Sequence, residues 1–270
     1  MIITLFYFPA DRLQVPSVRC SERRSRDTWT DQSPQGFWNR TTWQHLTCLA
    51  PPWNAKQFAP CFRNTTFWFT GDSNAQMMFD LIGRLVKCRE KTIHESKYTQ
   101  HLPMSCDQAN LGLKMAWFPH AYPWQPGTLH WTERGVKKSP RFHMERIPRT
   151  GNYVILIHMY AHFTNYPSAV YAQQVKDLVQ AVRDLRRRNP SAKVVVRGPH
   201  CWFNMVTGDY LSVAVSRILR DEFRELRDHV FYLDVWGMTL AGSDCWNVHP
   251  PRHVVREMTR IFLGYVCPNA

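Results

Sequence analysis

The chain has eight cysteines (20, 48, 61, 88, 106, 201, 245 and 267) but no C-x-x-C pair among them. That argues against zinc-ribbon and thioredoxin-type chemistry, which need paired thiols at that spacing. No other metal-ligand spacing stands out, so no metal site is expected. No apolar run reaches the roughly 18 residues that a membrane-crossing helix requires, so no transmembrane helix is expected in this chain. There is no internal repeat and no low-complexity tract, which sets aside repeat architectures. The net charge is +13, a sign that suits anionic partners. Yet no compact basic run is interleaved with aromatics as a nucleic-acid site would be, and RDLRRR (183–188) reads as a solvated helix face. Nucleic acid is therefore not an expected partner. The opening MIITLFYFPA is apolar but has no basic n-region and no small-residue cleavage site, so it makes a poor signal peptide.

What is present points to a packed protein. Its 270 residues suffice for one large domain or two small ones, and 44% are apolar, enough for a core. An even number of scattered cysteines fits disulfides formed in an oxidising compartment, with the connectivity left open. Two N-x-[S/T] sequons, at Asn39 and Asn64, are candidate N-glycosylation sites. Together they favour the secretory pathway. A secretory chain without a recognisable targeting segment reads as a fragment, or as a chain whose start is misassigned.

Residues 1–37 read as a poorly ordered N-terminal segment, with 11–35 rich in Arg and Ser, and 38–270 as the domain. Trp38, Trp43, Trp53, Cys48 and Cys61 mark an irregular, cross-linked lead-in. A regular order follows. FWFT (67–70), YVILIH (153–158), KVVVR (193–197) and VFYLDV (230–235) are short apolar strands. Each is followed by apolar residues at helical spacing: Met78, Leu81, Ile82, Leu85 and Val86; Val175, Leu178, Val179, Val182 and Leu185; Ile218, Leu219, Phe223 and Leu226; Val254, Met258, Ile261, Phe262 and Tyr265. Strands apolar throughout are buried on both faces, and alternation with helices predicts an α/β three-layer sandwich with a mostly parallel sheet. The stretch 88–150 breaks this rhythm. It reads as an excursion over the sheet, in the manner of a cap, with a further short strand near Leu113–Phe118.

In doubly wound sheets, sites form at the carboxyl ends of the strands. Those ends here carry Gly71-Asp72-Ser73, His158 and His162, Arg197 and His200, and Asp234, and a further loop carries Asn247-Val248-His249-Pro250-Pro251. Ser73 sits where strand turns to helix, so its amide and the helix N-terminus can stabilise a negative oxygen. Gly71 permits the turn, and Asp72 can cap the helix. A nucleophilic serine needs a base within hydrogen-bond reach, and His249, in a proline-stiffened loop before the last helix, is placed to be that base. Alone, each motif has an ordinary structural reading. The pair in this order points to acyl transfer.

GDS after the first strand, with a His before the last helix, is similar to the SGNH/GDSL esterase superfamily. Within it, LDVWGMTLAGSDCWNVHPPRHVV…FLGYVC (233–267) resembles the C-terminal PC-esterase domain of the neurexophilin and PC-esterase domain (NXPE) family. Cys48, Cys61 and Trp117-x-x-His120-x-x-Pro123 fit the same family, and the resemblance covers roughly residues 38–267. It implies an SGNH-like fold and a secreted or Golgi-lumenal, membrane-associated glycoprotein that adds or removes acyl groups, mainly acetyl, on glycans. It also implies Ser73 as nucleophile and His249 as general base. Where the family reads GDS-[ST]-x-R, this chain has Asn74 and Gln76. Where it reads G-Q-H-F, this chain has Tyr160-Ala161-His162-Phe163. The superfamily's triad acid, three residues before the His, is Trp246 here, which leaves Asp244, Asn247 and Asp234 as substitutes. The oxyanion donors expected are the Ser73 amide with His162 or Asn74. Trp124, Trp131, Lys137, Lys138 and Arg141 are candidate contacts to an acidic sugar. No cofactor is expected beyond an acyl donor such as acetyl-CoA, should the reaction be a transfer. A non-catalytic binding module that keeps the fold is the alternative.

Overall fold

Runs of apolar residues with no polar alternation can be buried only in the middle of a sheet, and that is where they lie. The computed structural model describes residues 16–93, 102–120, 138–203, 210–243 and 245–268. Its strands are β1 (Gly36–Asn39), β2 (Thr42–His45), β3 (Thr65–Gly71), β4 (Arg89–Thr92), β5 (Met104–Gln108), β6 (Leu113–Pro119), β7 (Asn152–His158), β8 (Lys193–Arg197) and β9 (Val230–Leu233). Its helices are α1 (Ala55–Phe62), α2 (Ser73–Leu85), α3 (Pro140–Glu145), α4 (Ser168–Arg188), α5 (Tyr210–Glu222), α6 (Trp236–Gly242) and α7 (Arg252–Val266). β1 and β2 form a separate hairpin. The other seven strands form one sheet in the order β4-β5-β6-β3-β7-β8-β9. The five strands from β6 to β9 in that order pair in parallel, while β4 and β5 join antiparallel at one edge.

Alternate side chains of each strand feed two cores. Phe67, Phe69, Val154, Leu156, Val195 and Leu233 pack with residues of α1, α2 and α7. Ile155, Ile157, Val194, Val196, Val230 and Tyr232 pack with residues of α4 and α5. This is the period-two geometry of a strand expressed in a sheet with helices on both sides. The three-layer α/β sandwich expected from the sequence is the observed fold. The excursion at 88–150 behaves differently from a cap. Its described portion extends the sheet sideways, with Leu113–Pro119 beside β3 and two antiparallel strands beyond it.

The N-terminal segment is a second correction. Residues 16–37 are ordered parts of the domain, although residues 1–15 lie outside the described structure. Cys20–Glu22 and Ser25–Trp29 are short 3-10 turns. Cys20 is bonded to Cys48. Trp29 is buried, stacks on Phe223 and Tyr232, and donates its indole N–H to the Val230 carbonyl at 2.7 Å. Thr28 Oγ1 accepts the Tyr232 amide at 2.8 Å. A polar segment thus covers the free edge of β9, which an exposed strand otherwise offers to other chains.

All eight cysteines are paired: Cys20–Cys48, Cys61–Cys267, Cys88–Cys106 and Cys201–Cys245. Both sequon asparagines are exposed, Asn39 at the end of β1 and Asn64 just before β3. No helix among the described residues is long and apolar enough to cross a membrane.

Candidate active site

The site is built where β3 hands over to α2. Gly71 ends β3 at φ +148°, a region L side chains rarely adopt, and a Cβ there would collide with the His158 carbonyl on β7. Asp72 caps α2, its Oδ1 accepting the Asn74 amide at 2.8 Å. Its Oδ2 accepts the Ala161 amide at 3.1 Å. One buried carboxylate therefore ties the start of α2 to the turn after β7 that carries His162. Burial opposes ionising Asp72, but the positive field of His158, His162, His120 and Arg197 prevails and holds its carboxyl well below the usual range. His158 Nε2 stands 3.7 Å from Asp72 Oδ1, beyond hydrogen-bond reach. Burial, with Arg197 nearby, lowers His158 to about 4, so it is neutral at pH 7. Arg197 and the two amide donors are what sustain the Asp72 charge there.

Ser73 opens α2. Its Oγ lies 2.7 Å from His249 Nε2. That contact fits a serine hydroxyl donating to a neutral imidazole whose proton is on Nδ1. Among the described residues no acceptor takes the Ser73 amide, whereas the Asn74 amide is used by the cap. The Ser73 N–H is therefore left free at the positive end of a helix, as an oxyanion donor must be.

Among the described residues, the contacts that hold His249 come from its loop. Asn247 Oδ1 accepts the His249 amide at 2.9 Å. His200 Nε2 donates to the Val248 carbonyl at 2.9 Å, and Arg197 Nη2 lies 3.4 Å from His200 Nδ1. Burial and the neighbouring Arg197 and His158 push His200 well below its ordinary range, so it is neutral. Arg197 takes its Nδ1 lone pair, which leaves the proton on Nε2 for Val248. The segment after β8 also binds the loop through Cys201–Cys245 and through the Phe203 amide, 2.7 Å from the Cys245 carbonyl. The sequence placed Arg197 and His200 at this edge but gave no sign of this clamp, which depends on contacts across 48 residues.

The substitutes for the triad acid fare differently. Asp234 is turned away from His249: it accepts Arg220 Nη2 at 3.0 Å and the Trp236 amide at 3.0 Å. Its place just past β9 lets it accept the first amide of α6 and pair with an α5 arginine, one carboxylate oxygen on each. Asn247 fixes the backbone of His249, not its ring. Asp244 lies outside the described residues. Among those described, no hydrogen bond reaches His249 Nδ1. Trp246 is 68% exposed.

The expected oxyanion partners are close but distinct. His162 Nδ1 lies 3.0 Å from His120 Nε2, at the adjacent end of β6. The Asn74 side chain is buried, and neither of its polar atoms has a hydrogen-bond partner among the described residues. Arg141 is not gathered into the site by any described contact. It is exposed on α3 and pairs with Glu145 at 2.7 Å, the neighbour that i,i+4 helix spacing provides. Lys138 bridges by backbone to His120. Trp124, Trp131 and Lys137 lie outside the described residues. No group of three or more His, Cys, Asp or Glu side chains among the described residues is placed to hold a metal.

The fold and the site together are those of an α/β sandwich with a mostly parallel sheet, in which a serine opens the helix after the central strand and faces a histidine from the loop before the last helix. Residues 43–267 match the family described as NXPE family member 4-like, C-terminal domain, and the chain belongs to that family. Two solved structures are similar at a distance. A protein described as a GDSL-like lipase from Parabacteroides merdae is 12% identical over 75% of this chain and 97% of its own, with a TM-score of 0.44. An active-site mutant of a family two carbohydrate esterase from Clostridium thermocellum is 12% identical over 74% of this chain and 62% of its own, with a TM-score of 0.42.

Proposed function

We propose that this chain is a serine O-acyl esterase or O-acyltransferase acting on acetylated glycans. The observation that supports it is the 2.7 Å contact between Ser73 Oγ and His249 Nε2. In this reading Ser73 Oγ attacks the acyl carbonyl and its proton passes to His249 Nε2. The tetrahedral oxyanion rests on the Ser73 amide, with His162 beside it. Collapse expels the alcohol of an ester, or the thiol of a thioester donor, which takes the proton from His249 and leaves the acyl group on Ser73. Water then accepts the acyl group in hydrolysis. A sugar hydroxyl accepts it in transfer, for which an acyl donor such as acetyl-CoA is the first substrate.

The four disulfides and the family are consistent with a protein of the secretory pathway. We place its action in the Golgi lumen or outside the cell, with Asn39 and Asn64 glycosylated. One observation favours a second reading, a binding module that keeps the fold: among the described residues, no hydrogen bond reaches His249 Nδ1. A triad whose histidine is left in the wrong tautomer loses about 10⁴-fold in the serine-protease case. Hydrolysis of p-nitrophenyl acetate separates the two. The enzyme reading expects turnover that falls roughly a hundredfold or more in Ser73→Ala. Equal rates for wild type and Ser73→Ala leave the binding module.

A further inference from the structure

Two tryptophans line a cleft in the loop that carries His249 and have no part in the chemistry described so far. Each directly follows a bridged cysteine: Cys201-Trp202 and Cys245-Trp246, joined by the Cys201–Cys245 disulfide. With Asn247 and Val248 they line an open cleft of about 490 Å³. Val248 and Asn247 are also the residues whose backbone and side chain hold His249. One wall of the cleft is therefore the segment that leads directly into His249.

The shelf is rigid. Phe203 meets the Trp246 ring edge-on at 5.7 Å between centroids, and the Phe203 amide donates to the Cys245 carbonyl at 2.7 Å. Trp202 is braced from below by Tyr160, at 6.5 Å and 90°. Tyr160 itself is buried and packs edge-on against His200 at 5.1 Å. Trp246 nonetheless remains 68% exposed. A large aromatic held out in solvent by a disulfide forgoes the burial that its size makes favourable, and a rigid aromatic surface of this kind marks a recognition site.

We infer that Trp202 and Trp246 form a stacking platform for a pyranose ring, which holds the sugar part of the substrate while its ester meets Ser73. The chemistry fits a sugar better than a lipid or a peptide. The cleft is shallow and open, so it cannot enclose an acyl chain. It lies in a loop with no free sheet edge for a peptide strand. The negative face of an indole attracts the weakly positive C–H groups on the flat face of a pyranose, and the Asn247 side chain at the rim offers amide donors to hydroxyls. The inference rests on the proposed reaction for its meaning, but its test does not depend on turnover.

The test measures binding with Ser73→Ala protein of the full chain, so catalysis plays no part. Chitohexaose and xylohexaose are titrated in by calorimetry, since both present flat faces with equatorial substituents. At least one should bind, and Trp246→Ala and Trp202→Ala should each weaken it tenfold or more. Trp246 is exposed, so its replacement leaves the fold intact, and circular dichroism verifies this. In the active protein, Trp246→Ala should raise KM for acetylated xylohexaose by a larger factor than it changes KM for p-nitrophenyl acetate, which carries no sugar ring to stack. Absence of binding by both sugars, or binding unchanged in Trp246→Ala, overturns the platform. Loss of p-nitrophenyl acetate turnover in wild type would count against the reaction instead, and leaves the binding result standing.

Discussion

Asp72 shows how one residue serves two elements. From sequence it reads as a helix cap, and it is one. What a linear reading does not show is its second oxygen, which takes the amide of Ala161, 89 positions away. Ser73 and His249 each stand in a short motif, and the structure brings the two side chains within 2.7 Å of each other. Asp234 was misread because a carboxylate at a strand end looks the same in sequence whether it faces a histidine or an arginine. Buried histidines make the residue-scale prediction. His45, His143 and His158 are each lowered by burial to about 4, and His200 further still. The unfolded chain takes up these protons near pH 6.5 while the folded one refuses them. Stability is therefore full above pH 6.5 and falls as pH drops toward 4, by about 1.4 kcal/mol per pH unit for each such histidine. Thermal melts from pH 7.5 to 4.5 should show a steadily decreasing Tm. A Tm that is flat across this range contradicts the neutral, buried state assigned to these rings.

At the scale of elements, the β3–α2, β7–α4, β8–α5 and β9–α7 units could be read from sequence because apolar runs and helical spacing are strong signals. Residues Arg89–Thr92 and Met104–Gln108 escaped notice because antiparallel strands at a sheet's edge are half exposed and carry few apolar residues. Cys20–Trp29 escaped because its order comes from one disulfide and one buried tryptophan, not from periodicity. The loop bearing His249 is an element too, positioned by the His200 clamp. His200→Ala should lower kcat on p-nitrophenyl acetate by roughly tenfold or more, since misplacing a base by about 1 Å is costly. His200→Gln, which keeps a donor for the Val248 carbonyl, should recover part of that loss at unchanged fold stability. If His200→Ala retains full kcat, the clamp has no role in positioning the base.

For the whole molecule, the longest covalent link is Cys61–Cys267, which closes a loop of 206 residues and joins the end of α1 to the end of α7. Such a crosslink restricts the unfolded chain strongly, by about 5 kcal/mol on the chain-entropy account. Cys61→Ser with Cys267→Ser should therefore lower Tm by many degrees while leaving the sheet order intact. A double variant as stable as the parent would show that the packing of α7 alone holds the two ends. The same crosslink bears on function, because α7 follows the His249 loop directly and its N-terminus sets where that loop ends. The glutamate–arginine pair Glu257 and Arg260 fastens α7 further, to the Trp43 amide and to the carbonyls of Trp43, Ala50 and Pro51.

The account stands on Ser73 being a nucleophile activated by His249. A fluorophosphonate reagent, which reacts with activated serines, tests this without any assumption about the glycan. Peptide mass spectrometry of the treated protein should find the adduct on Ser73, and none on Ser73 in His249→Ala. An unlabelled Ser73 in the wild-type protein, or equal labelling with and without His249, would contradict the account.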